Sequence, residues 1–120
     1  NKILLDVPCS GTGVIGNKPD IRWRRNSNDI FQMSILQLKI LKNVSKYLKV
    51  GGCMIYSTCS LEREENWNVI EKFLKLNLNF RLDKLNAKVP SNWIDNKGCL
   101  STLPHEHNVG GMFAAKLIRI

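Results

Sequence analysis

The feature that most narrows the folds open to this chain is a succession in its first half: an apolar run, a helical period, then a second apolar run. Ile3 to Val7 is broken only by Asp6 and stopped by Pro8, which suits a buried parallel strand with its carboxyl end at the Asp. Between Ile30 and Leu48, the residues Met33, Leu36, Ile40, Val44 and Tyr47 recur three and four apart, as on an amphipathic helix. Gly51-Gly52 then ends the helix and reverses the chain, and Cys53 to Tyr56 reads as a second buried strand. A strand, a helix and a strand in that order predict an α/β sheet.

The second half continues the alternation. Glu62, Glu64 and Glu65 stand where a helix would expose its unpaired amides, and Trp67, Ile70, Phe73 and Leu74 give that helix an apolar stripe to about Leu76. Phe80 to Leu85 suits a third strand, and Gly111 to Ile120, with its Ala115-Lys116-Leu117-Ile118-Arg119 alternation, a closing one. The expected sheet is mainly parallel with an antiparallel closing strand. At 120 residues and 43% apolar, the chain has material for one core and one domain. No apolar run approaches the roughly 18 residues of a membrane span, which predicts a soluble protein. The four cysteines form no CxxC and are too sparse for a disulfide scaffold, so reduced thiols and a cytoplasmic location are expected. The absence of an initiator Met and a strand beginning at once suggest a piece of something longer.

In such sheets ligands bind beyond the carboxyl ends of the strands, so Asp6-Val7-Pro8-Cys9 and Thr58-Cys59 should face one crevice. Cys53, inside a strand, and Cys99, in an irregular stretch, read as packing residues. Cys9 and Cys59, just past strand ends, suit reactive thiolates. Gly11, Gly13 and Gly16 spell GxGxxG, but Asn17-Lys18-Pro19-Asp20 follows instead of a helix, and position 36 is a Leu where a ribose-binding acid would stand. A zinc site from Cys9, Cys59, His105 and His107 fails on ligand spacing, and no metal is expected. From Ser10 to Ser27 the chain is a long loop in which Lys18, Arg22, Arg24 and Arg25 surround Trp23. Cations interleaved with a stacking ring suit single-stranded nucleic acid, as does the net charge of +8; a solvated basic loop with Trp23 folded onto the core is the other reading.

Leu5-Asp6-Val7-Pro8-Cys9-Ser10-Gly11-Thr12-Gly13, Pro19-Asp20-Ile21-Arg22-Trp23, Gln37, Gly51-Gly52, Tyr56-Ser57-Thr58-Cys59-Ser60 and Glu64-Glu65-Asn66 together resemble the RNA cytosine-5 methyltransferases of the Sun, NOL1 and NOP2 type. The likeness is to the bacterial group acting on small-subunit ribosomal RNA, the methyltransferase B or Sun proteins, and runs along essentially the whole chain. It implies the carboxyl-terminal half of a Rossmann-like, S-adenosylmethionine-dependent catalytic domain over residues 1–120. The glycine-rich cofactor loop and ribose-binding acid would lie on strands before Asn1.

The resemblance also implies roles. Cytosine C5 is a poor nucleophile until a thiolate adds to C6, and covalent catalysis divides the hard step into easier ones. Cys59 would be that nucleophile, and Cys9 would help break the adduct and release methylated RNA. Asp6, carrying or sharing a proton, would serve N3 and lie near the cofactor methyl; the Pro8 carbonyl would accept from the N4 amino group. Lys18, Arg22, Trp23, Arg24 and Arg25 would hold the unstacked RNA. Two alternatives stand beside this: an inactive RNA-binding fragment, and an enzyme whose nucleophile is Cys9, as in DNA cytosine methyltransferases.

Overall fold

A computed structural model describes residues 1–11, 27–85, 89–104 and 110–120. Strand β1 (Lys2–Asp6) is followed by helix α1 (Ser27–Ser45), strand β2 (Cys53–Thr58), a 3-10 turn at Arg63–Glu65, helix α2 (Trp67–Leu76) and strand β3 (Phe80–Asp83). A second 3-10 turn (Ser91–Trp93), strand β4 (Leu100–Thr102) and strand β5 (Met112–Arg119) complete it. The sheet order is β1-β2-β5-β3, with β4 paired to β5 beside β3.

β1 and β2 pair parallel from Lys2↔Cys53 to Asp6↔Ser57. β5 is antiparallel to β2, β3 and β4, so those three and β1 share one direction and β5 alone opposes them. The fold is α/β, with a mixed sheet. The expected antiparallel closing strand is β5, which lies inside the sheet between β2 and β3, and its end is tied to the Gly51-Gly52 turn: the Gly51 N–H donates to the Arg119 carbonyl at 2.7 Å, and Arg119 N–H to the Gly52 carbonyl at 3.1 Å.

One face of the sheet is the core side. The register sets Ile3, Met54, Leu117 and Leu82 in one row and Leu5, Tyr56 and Ala115 in the next. Met54, Tyr56, Ala115 and Leu117 are fully buried, packed with Leu41 and Leu48 from the α1 segment and Val69, Ile70 and Phe73 from α2. Phe73 and Phe80 meet edge to face, their ring centroids 5.1 Å apart. On the opposite face Leu4 is exposed, and among the described strands β1 has no partner on its outer edge.

Five sequence expectations are corrected. The α1 helix ends at Ser45, and Tyr47 is exposed beyond it. Its buried face runs through Gln37, Leu41 and Ser45 and continues to Leu48, while Leu36 is exposed. Two polar residues at the centre of that face hide its phase from an apolar count. The acids before α2 form the 3-10 turn, and Glu65 is fully buried rather than facing solvent at a helix start. The third strand stops at Asp83, and the stretch expected to be irregular contains β4.

Candidate active site

Parallel pairing delivers the ends of β1 and β2 to the same edge of the sheet. The Val7 N–H extends the ladder to the Ser57 carbonyl at 3.1 Å, and the two strands then separate into the loops that carry the thiols. There the backbone N–H of Cys59 donates to Cys9 Sγ at 3.3 Å. Both cysteines are half-buried. Beside them, exposed Asp6 accepts from Ser57 Oγ through Oδ1 at 3.0 Å, and exposed Pro8 presents its ring to solvent.

Burial pushes the Cys9 thiol up; the Cys59 and Gly11 amides pull it the other way, and the neighbouring Cys59 and Glu65 add to the rise. The chain just past it turns through Gly11 at φ +76°, a left-handed backbone that favours glycine.

The loops are held from beneath by groups that residue-by-residue reading of the sequence does not single out. Glu65 accepts from Ser10 N–H at 2.7 Å and from Ser10 Oγ at 2.6 Å, from Ser60 Oγ, and from Gln37 Nε2 at 3.1 Å. Gln37 Nε2 also donates to the Pro8 carbonyl at 2.8 Å. Asn66 clasps the Cys59 loop: its Oδ1 accepts from Thr58 Oγ1 at 2.5 Å, and its Nδ2 donates to the Ser60 carbonyl at 2.8 Å. The buried Tyr56 hydroxyl donates to the Glu65 carbonyl at 2.6 Å, and burial holds this phenol above its ordinary range. An acid close to a helix start invites a dipole reading. Only its place in the Glu64-Glu65-Asn66 string, beside Gln37, marked it.

Cys9, Cys59, Asp6 and Pro8 are therefore neighbours at one end of the sheet. Lys18, Arg22, Trp23, Arg24 and Arg25 lie outside the described residues, as do Gly13, Gly16, His105 and His107. Among the described residues no group of three His, Cys, Asp or Glu side chains is gathered as a metal site, and no helix is long and apolar enough to cross a membrane. Cys53 is half-buried and Cys99 fully buried.

An α/β sheet with this arrangement has counterparts among solved structures, one of them a methyltransferase homolog protein from Pyrococcus horikoshii, with a TM-score of 0.76 at 34% identity over 99% of this chain and 39% of that one. The crystal structure of PH0851 superposes with a TM-score of 0.88 at 36% identity, over 98% of this chain and 26% of that one. NSun6 from Pyrococcus horikoshii, solved with SFG, gives 0.80 at 28% identity over 97% of this chain and 29% of that one. The class is thus a Rossmann-like methyltransferase fold. Ribosomal RNA small subunit methyltransferase B of Shewanella oneidensis is 40% identical over 119 residues, 99% of this chain and 27% of that protein. The model of the 16S rRNA methyltransferase RsmB/F family matches residues 1–118, and the chain belongs to that family. It spans about a quarter of the length of the curated relatives it matches.

Proposed function

We propose that this chain is the thiol-bearing part of an S-adenosylmethionine-dependent enzyme that methylates C5 of a cytosine in small-subunit ribosomal RNA, and that the cofactor-binding half of the catalytic domain lies in a preceding part of a longer protein. The observation that carries the reading is the Cys59 N–H to Cys9 Sγ contact at 3.3 Å, made where two parallel strands end together. With Cys9 Sγ seated on the Cys59 backbone, both residues can serve one pyrimidine in turn.

Cys59 is the nucleophile. Its thiolate forms a bond to C6, and the displaced π pair makes C5 enamine-like while charge builds at N3 and O2. Asp6 shares a proton with N3, its carboxylate steadied by Ser57 Oγ. The Pro8 carbonyl, with one lone pair on Gln37 Nε2, keeps a second for the N4 amino group. After methylation the C5 proton leaves to a base, the freed pair restores the ring double bond, and the S–C6 bond breaks. Cys9 assists this elimination. Burial favours its protonated form, in keeping with a helper that holds a proton.

S-adenosylmethionine, when bound, supplies an electrophilic methyl group. The chain's own residues fit one contact with it: Asp6 is an exposed carboxyl group at a strand end, whose oxygens can face a sulfonium. That one relative was solved with SFG supports the cofactor class. The long loop with Lys18, Arg22, Trp23, Arg24 and Arg25 contributes phosphate contacts and a stacking ring.

The test uses the full-length enzyme and a small-subunit ribosomal RNA transcript. Cys59→Ala lowers methyl transfer by at least about a thousandfold. Cys9→Ala instead accumulates a covalent enzyme–RNA adduct. Exchange of these two outcomes would assign attack to Cys9 and overturn the reading.

A further inference from the structure

A fully buried carboxylate that touches both thiol loops has a role beyond filling space. Ser10 follows Cys9 and Ser60 follows Cys59, and both hydroxyls end on Glu65 Oε2; the Ser10 amide ends on Oε1. The two hydroxyl oxygens are 3.3 Å apart, so the carboxylate staples the loops directly. Gln37 extends the staple, since its Nε2 spans Glu65 Oε1 and the Pro8 carbonyl. Its orientation is fixed by chemistry: turned over, its Oε1 would face two acceptors. As it stands, Gln37 Oε1 is buried without a partner among the described residues, an arrangement that the Nε2 contacts must outweigh. Among the described residues no cation pairs with Glu65, and its oxygens are met by hydrogen-bond donors from the thiol loops and from α1.

We propose that Glu65 is the positioning residue for the reaction: it sets the separation of the Cys9 and Cys59 sulfurs and, through Gln37, the direction of the Pro8 carbonyl. The inference rests on the function proposed above. Because each serine is tied to a different thiol, the two halves of the staple act on different steps. Loosening Ser60 slows adduct formation at Cys59, and loosening Ser10 slows adduct breakdown at Cys9. A purely structural carboxylate would lower stability without separating the steps.

Full-length Glu65→Gln, Ser60→Ala and Ser10→Ala are compared with wild type in single-turnover assays that follow adduct formation and RNA release, scaled to the folded fraction. A misplacement of about 1 Å costs up to roughly a hundredfold in rate, so Glu65→Gln is expected to slow adduct formation at least about tenfold while the KM for RNA holds. Ser60→Ala slows formation alone, and Ser10→Ala raises the steady-state adduct. Wild-type rates of both steps in folded Glu65→Gln overturn the proposal. Should that variant not fold, the serine variants decide: equal effects of both on both steps overturn it, and divided effects support it. The Cys59→Ala control in the same assay separates the two failures, since continued methylation by that variant defeats the function itself and not the staple.

Discussion

Burial sorts the thiols into two chemical kinds. Cys99 is fully buried, its amide donates to Asp95 Oδ1 at 3.0 Å, and burial pushes its thiol up to about 12, with Asp95 adding and Lys97 opposing. Cys9, Cys53 and Cys59 are half-buried. At about pH 8 an alkylating reagent should therefore modify these three in the folded protein and reach Cys99 only on unfolding, as peptide mapping would show. Equal labelling of Cys99 would contradict the packing. The linkage has a definite sign: a thiol raised on folding contributes stability that is complete below its unfolded value near 9 and is lost as pH rises toward about 12. Tyr56 acts in the same direction. Thermal melts should fall along that alkaline limb, and Cys99→Ala should make the fall shallower. The thiol pair was legible in the sequence because a cysteine past a strand end is a chemical signal in itself. The roles of Glu65 and Asn66 were not, because the work they do depends on loops drawn together from fifty or more residues away or folded back from Ser60, which no local pattern encodes.

Elements follow the apolar period closely where one face is plainly apolar. α2 buries Val69, Ile70 and Phe73, and β5 buries Phe113, Ala115 and Leu117 in alternation. The phase of α1 was displaced because Gln37 and Ser45 occupy its buried face, and β4 escaped because Leu100–Thr102 is too short to show a period. The turn between α1 and β2 rests on two glycines with different duties. Gly51 has φ +84° with open space at its Cβ position, so Gly51→Ala costs about 1–2 kcal/mol of backbone strain. A Cβ on Gly52 would stand 2.8 Å from the Asn1 carbonyl oxygen, 2.7 Å from Asn1 Oδ1 and 2.9 Å from Leu48 Cδ1. Gly52→Ala must displace the start of β1 or the end of the α1 segment, for about 1–3 kcal/mol. Urea titration should show Gly52→Ala also loosening the Asn1 contacts to the Tyr47 carbonyl and the Lys49 amide, seen as faster exchange of the Lys49 N–H. Unchanged Lys49 exchange would refute the close approach.

At the scale of the whole molecule, a net charge of +8 sets the reach of the chain toward a polyanion. For the proposed RNA substrate, affinity should fall at least about tenfold between roughly 50 and 200 mM salt, because each neutralised phosphate releases counterions. Filter binding that is flat across that range would mean the charge is not used on RNA. The sheet gathers its chemistry at one end, where β1 and β2 stop together. Which sulfur bonds to the pyrimidine decides the mechanism. An RNA carrying 5-fluorocytidine at the target position stalls the elimination, since C5 then has no proton to lose, and holds the adduct for mass spectrometric mapping in the full-length enzyme. The RNA is expected on the peptide containing Cys59; RNA on the peptide containing Cys9, or on neither, would overturn Cys59 as the nucleophile.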